Sequence, residues 1–209
     1  MNFSRLGLPL LMFVMLFSMH KAEAAIMIDD FTDFRFVQNG ESFSETLSDN
    51  TLGEVTRTLT SDVGTNIVVG GGELALGSDG GVAGTLSLLY SFGSSGIDLD
   101  DIAKAFLFNV ESVDVNVNLE LVANGSTSFL LNNLSAGQHR IGFSQFSGPE
   151  DTFSQLKTLE FKFSGNQGWD LALVGGISAV PEPSISALLV IGLLAFTSVG
   201  RKRCARLNA

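Results

Sequence analysis

Along most of the chain apolar and polar residues alternate with a period of two, a pattern that fits strands and not helices. The clearest run is VDVNVNLELV at 113–122: Val113, Val115, Val117, Leu119 and Leu121 share one side, and Asp114, Asn116, Asn118 and Glu120 the other. Side chains on a strand project alternately to its two faces, so this run predicts a strand with one buried and one wet face. Further runs are FRFV (34–37), VTRTLT (55–60), NIVV (66–69), GTLSLLYSF (84–92), AFLFNV (105–110) and SFLLN (128–132). HRIGF (139–143), LEFKFSG (159–165) and WDLALV (169–174) complete the set. Turns rich in Gly, Asn and Ser separate them, and VVGGGELALG at 68–77 reads as a glycine turn between two strands. No stretch of about a dozen residues repeats at helical spacing. Nine or ten short strands of this kind predict an all-β fold, a jelly-roll-type β-sandwich. The absence of an internal repeat disfavours solenoids and propellers.

The two ends of the chain do not belong to that pattern. Arg5 precedes the apolar run LGLPLLMFVMLF (6–17), and the small residues of AEA (22–24) follow it. This order predicts a signal peptide at 1–24 and an exported domain at 25–179. Between residues 25 and 180 stand 20 Asp and Glu against six Lys and Arg, a formal charge of −14. Such a surface repels phosphate backbones and anionic lipid, which argues against nucleic-acid binding. It suits a divalent cation or a neutral polysaccharide. A domain of this length buries roughly two-thirds of its unfolded surface, enough to hold a core without staples. It has to do so, because the one cysteine, Cys204, lies past the domain.

At the other end, residues 185–200 form sixteen positions without a charge. As a helix they would span roughly 24 Å, slightly short of the about 30 Å hydrocarbon core of a bilayer. The basic residues Arg201, Lys202, Arg203 and Arg206 follow as a cytoplasmic flank, so a C-terminal transmembrane helix is expected with the domain outside. Before it, Pro181 and Pro183 enforce a stiff, extended segment, and Glu182 between them is held at the membrane surface.

Pro181, Glu182 and Pro183, the apolar span and the basic cluster, behind an N-terminal signal peptide, resemble the PEP-CTERM sorting signal of bacterial surface proteins. The resemblance covers residues 180–206. It implies a partner, an exosortase, which is a membrane-embedded cysteine transpeptidase that cuts near the motif. It further implies transient residence in the inner membrane, then the cell surface or extracellular matrix, in an exopolysaccharide and biofilm setting. The catalytic residues of that processing belong to the partner. The exported domain is also similar to galactose-binding-like jelly rolls, through IDDFTDF (28–34) and DLALVGGIS (170–178). That similarity implies that the opening and closing strands pair.

Residues for chemistry are sparse. His139 is the only histidine between 25 and 180, and no Gly-x-Ser-x-Gly elbow or phosphate-binding loop is present. Carboxylates are plentiful, but no spacing selects an acid/base pair. No catalytic residue is therefore assigned, and a non-enzymatic protein is expected. Asp98, Asp100 and Asp101 in IDLDD, and Asp29, Asp30 and Asp33 in IDDFTD, offer oxygen ligands for calcium, or else form solvated acidic turns. Trp169 follows a polar turn, where it either plugs the end of the sandwich or stacks on a sugar ring. The phenylalanines alternate with polar residues and most should be core. Together these features predict an exported structural or glycan-interacting protein. The alternatives are a permanently membrane-anchored binding protein and a secreted glycan-active enzyme.

Overall fold

Alternation on this scale produces two sheets with a common interior. The computed structural model describes residues 25–182, apart from 49 and 115. The signal peptide at 1–24, Val115, Pro183, the span at 185–200 and the residues Arg201, Lys202, Arg203 and Arg206 lie outside the described residues. The strands are β1 (Ile26–Asp29), β2 (Arg35–Gln38), β3 (Ser42–Thr46), β4 (Val55–Ser61), β5 (Thr65–Gly70), β6 (Glu73–Ser78) and β7 (Gly84–Phe92). After them come β8 (Ala105–Val113), β9 (Asn118–Ala123), β10 (Thr127–Leu131), β11 (Gly137–Gly142), β12 (Thr158–Gly165) and β13 (Asp170–Val180). Sheet A has the order β11-β8-β13-β6-β5-β2, with β1 added to β13, and sheet B the order β10-β9-β12-β7-β4-β3. The chain passes repeatedly from one sheet to the other, and the fold is a jelly-roll-type β-sandwich.

Inward positions confirm the period of two. Across sheet A, Val37, Ile67, Leu76 and Leu171 stand opposite one another and all are buried. Across sheet B, Leu59, Leu88, Phe161 and Leu121 do the same. One part of the interior is aromatic: Phe143 and Phe153, carried on 3-10 turns at Phe143–Gln145 and Thr152–Gln155, stack at 4.1 Å and pack on Phe106.

The run at 113–122 corrects the expectation drawn from it. It is not one strand: β8 ends at Val113 in sheet A, β9 begins at Asn118 in sheet B, and Asn116 turns between them with φ 65°. A crossover that keeps its apolar side inward leaves the alternation unbroken, so periodicity marks the buried side but not the strand's continuity.

The implied pairing of opening and closing strands is present, with Ile26 opposite Ala179 and Met27 opposite Ser178. Opposite it, β13 bulges at Gly175 and Gly176, which have φ 75° and 82°. A Cβ on Gly176 would collide with the carbonyl oxygen of Asp29, so glycine there lets β1 lie down.

A buried ion cluster ties β1 to sheet B. Arg57 on β4 is wholly buried; its Nη1 donates to both Asp29 oxygens at 3.1 and 2.9 Å, and its Nη2 to Glu45 and to the Asp33 carbonyl. Tyr90 and the Phe31 N–H also donate to Asp29, each at 2.9 Å. Burial pushes the Asp29 carboxyl above its ordinary range, against the pull of Arg57. Burial would lower Arg57, but Asp29 and Glu45 outweigh it and hold the guanidinium more firmly protonated. The two directions oppose one another, and geometry decides: three of the four hydrogen bonds to Asp29 come from Arg57 and the Phe31 N–H, which can only donate, and with the guanidinium in contact they favour the carboxylate. Burial, with Asp29 beside it, raises Tyr90 well above the ordinary phenol value, which keeps it a donor.

Candidate functional site

Most of the residues singled out in the sequence are occupied by folding. Trp169 is 1% exposed and packs over Gly165, where a Cβ would strike its ring; its backbone closes on Ser78. It is the plug of the sandwich, and with no exposed face it cannot stack on a ligand. Its indole N–H has no hydrogen-bond partner. The three carboxylates expected to offer calcium a site are not brought together. Asp98 accepts the N–H of Asp101, and Asp100 pairs with Lys104 at 2.7 Å. Asp29 is spent on Arg57, and Asp30 on Thr32, whose hydroxyl and N–H hold its carboxyl below the ordinary range. Among the described residues no group of three acidic, His or Cys side chains could hold a metal ion. His139 lies stacked on Phe108 with its Nε2 against the Ser135 carbonyl at 2.7 Å. Pro181 and Glu182 follow β13 directly; the Lys104 N–H donates to the Val180 carbonyl at 2.9 Å, and Arg140 to the Pro181 carbonyl at 3.3 Å.

What remains free is the outer face of sheet A. Phe36 stands outward opposite Val68, which continues through Ala75 to Ala172. Phe34, just before β2, lies against Gly70, whose missing Cβ would be 2.9 Å from the ring. The two rings are 65% and 52% exposed for Phe34 and Phe36 respectively. Neighbouring positions are small, so the floor between the rings and the centre of the sheet is low. Polar groups border it. Asn66 and Asp170 flank Gly77, and at the far strands Gln138 stands opposite Asn109. There a shallow recess of about 410 Å³ opens beside the β13 bulge, lined by Leu107, Asn109, Gln138 and Ser178 among others.

Two other features look similar but are structural. Phe43 on β3 is 40% exposed, yet its side chain points toward the sandwich edge, where Arg35 covers the ring at 4.8 Å and pairs with Glu45 at 2.7 Å. A recess of about 500 Å³ near Asn124 has its central amide consumed by the carbonyl of Gln155 and the N–H groups of Lys157 and Thr158. The sequence reading missed Phe34 and Phe36 as exposed rings. The signal was available in FRFV: with Val37 inward, the period of two puts Arg35 on the same side and both rings on the other.

No protein-family profile matches the chain, and no curated protein matches it. Among solved structures it is similar to the family 11 carbohydrate-binding module of the cellulosomal cellulase Lic26A-Cel5E of Clostridium thermocellum. The TM-score is 0.44 at 17% identity, over 77% of this chain and 96% of that one. An agarase, AgWH50C, overlaps with TM-score 0.44 and 11% identity, over 77% of this chain and 25% of that chain. The family 11 xylanase from Neocallimastix patriciarum overlaps with TM-score 0.39 and 11% identity, over 71% and 100%. Overlaps of this depth carry no argument about ligand or activity.

Proposed function

We propose that this is an exported, non-enzymatic protein of the bacterial surface whose sandwich engages polysaccharide through the outer face of sheet A. The exposed pair Phe34 and Phe36 is the observation that carries the reading. Large rings left in water on an ordered sheet mark a contact surface. Ring faces accept the C–H faces of sugars, while the side-chain amides of Asn66, Asn109 and Gln138 match sugar hydroxyls. The six strands β11 to β2 lie about 4.8 Å apart, so the face offers an extended track of roughly 24 Å. A track of that kind suits a chain more than a single sugar.

Delivery would follow the C-terminal signal. Among the described residues β13, Lys104 and Arg140 hold the chain at Val180 and Pro181, the first residue of the proposed sorting motif. We read 180–206 as the signal for an exosortase, and a cut at or beyond the motif would leave β13, which ends at Val180, and the rest of the sandwich whole.

Each half has its own test. Full-length chain in detergent, titrated with neutral polysaccharides, should bind one of them. The double variant Phe34→Ala, Phe36→Ala should weaken that binding by about tenfold or more while leaving stability within about 0.5 kcal/mol. Equal binding by the variant removes the reading. For sorting, the mass of the C-terminal peptide is compared in cells with and without the exosortase. A chain still carrying 201–209 in both would make it a permanently anchored protein.

A further inference from the structure

We infer that the outer face of sheet A selects glycans bearing free amino groups, an inference that rests on the proposal that this face binds polysaccharide. Two carboxylates stand among the groups just described. Glu73 on β6 is opposite Gly70 on one side and Val174 on the other. Because Gly70 has no side chain, the ring of Phe34 lies over it, and Glu73 is the cross-strand neighbour of that glycine on the same face. Asp170 on β13 lies over Gly77, with its Oδ1 2.7 Å from where a Cβ would be, and the Asn66 amide is on the other side of that glycine. Both acids are exposed.

Neither carboxylate is neutralised. The ion pairs among the described residues are Arg35–Glu45, Arg57–Asp29, Arg57–Glu45, Lys104–Asp100 and Lys162–Glu160, and none includes Glu73 or Asp170. The basic residue on this face is Arg140, at the far strand, where its guanidinium meets the Pro181 carbonyl. The wider domain, at −14 between residues 25 and 180, reinforces the same sign.

Charge complementarity then ranks the possible chains. A sugar seated on Phe34 or Phe36 brings its neighbours within reach of Glu73 or Asp170. A protonated amine on those neighbours gains an exposed ion pair; an N-acetyl group gains none; a uronate is repelled. Exposed pairs are weakened by salt, since at about 0.15 M the screening length is near 8 Å. The preference should therefore depend on ionic strength, and ring stacking should not.

The experiment uses the full-length chain in detergent at mildly acid pH. Glucosamine oligomers, N-acetylglucosamine oligomers and uronic-acid oligomers of equal length are titrated at low and high salt, against wild type and the double variant Glu73→Gln, Asp170→Asn. The expected order at low salt is amino, then acetylated, then uronic, with about a tenfold step between the first two. High salt and the double variant should each collapse that step and leave the acetylated oligomer's affinity unchanged. If the acetylated oligomer binds as tightly as the amino one, selection by charge is overturned while polysaccharide binding stands. If the amino preference survives in the variant, the assignment to these two acids is wrong. If none of the oligomers nor any neutral polysaccharide binds, the polysaccharide reading itself falls.

Discussion

The two outer faces of the sandwich obey the same alternation and carry different chemistry. On sheet A the outward positions hold two rings, small residues, amides and unpaired acids. On sheet B, β3, β4 and β7 present Ser42, Ser44 and Thr46, then Thr56, Thr58 and Thr60, then Thr85, Ser87, Leu89 and Ser91. Those hydroxyls are turned partly toward each other: Ser44 and Thr58 share a hydrogen bond of 2.7 Å, and Ser42 and Thr60 one of 3.1 Å. Beyond them, on β12, Lys162 and Glu160 lie 3.4 Å apart and offset one another's charge. Sheet B pairs hydroxyls across β3 and β4 and carries a lone exposed Leu130 opposite Glu120 at its far edge, whereas sheet A sets two exposed rings on the same face as unpaired carboxylates. The burial pattern that builds the core is shared by both, so the difference lies in what the outward positions were filled with, and unmatched groups are where a ligand gains most.

The strongest way to break this comparison is to detach the sheets from one another. Arg57→Leu leaves Asp29 buried without its cation and should cost about 3–5 kcal/mol of stability, read as a shift of the urea midpoint. Both faces would then lose their order together; an unchanged midpoint would mean that the cluster does not join β1 to sheet B. Next in size is Gly176→Ala. The left-handed backbone and the collision with Asp29 together should cost about 1–3 kcal/mol. Faster amide exchange confined to Ile26–Asp29 would show that β1, and with it one border of the sheet A face, depends on the bulge. The smallest effect sharpens the contrast. Thr58→Ala removes the bond to Ser44 and should cost about 0.2–1 kcal/mol, with polysaccharide affinity unchanged. A loss of affinity comparable to that of the Phe34 and Phe36 variant would move the binding surface to sheet B.

Much of the fold could be read beforehand. Strand β7 matches the run at 84–92 end to end, and β4, β5, β8, β10, β11 and β12 overlap the runs that signalled them. Where reading failed, the cause is specific. SFSET, which forms β3, is exposed at nearly every position, so no apolar alternation announced it. The start of β9 reads as a continuation of β8 because both put their apolar residues into one interior. The site was less legible. Acidic stretches suggested a cation, but Asp29 is spent on Arg57, nearly thirty positions away in sequence, and nothing local in IDDFTD reveals that partner. Trp169 looked available beside a polar turn, yet Gly165 on β12 makes room for it inside.

Local patterning was sufficient for the class of fold, for the sign and size of the surface charge, and for which residues of a strand share a side, because each depends only on composition and a period of two. Which sheet a strand joins, which acid meets which base, and which rings stay in water depend on contacts between residues far apart in the chain. Those contacts exist only once the two sheets have closed on each other. The same closure that buried Trp169 and Arg57 left Phe34, Phe36, Glu73 and Asp170 on an open face.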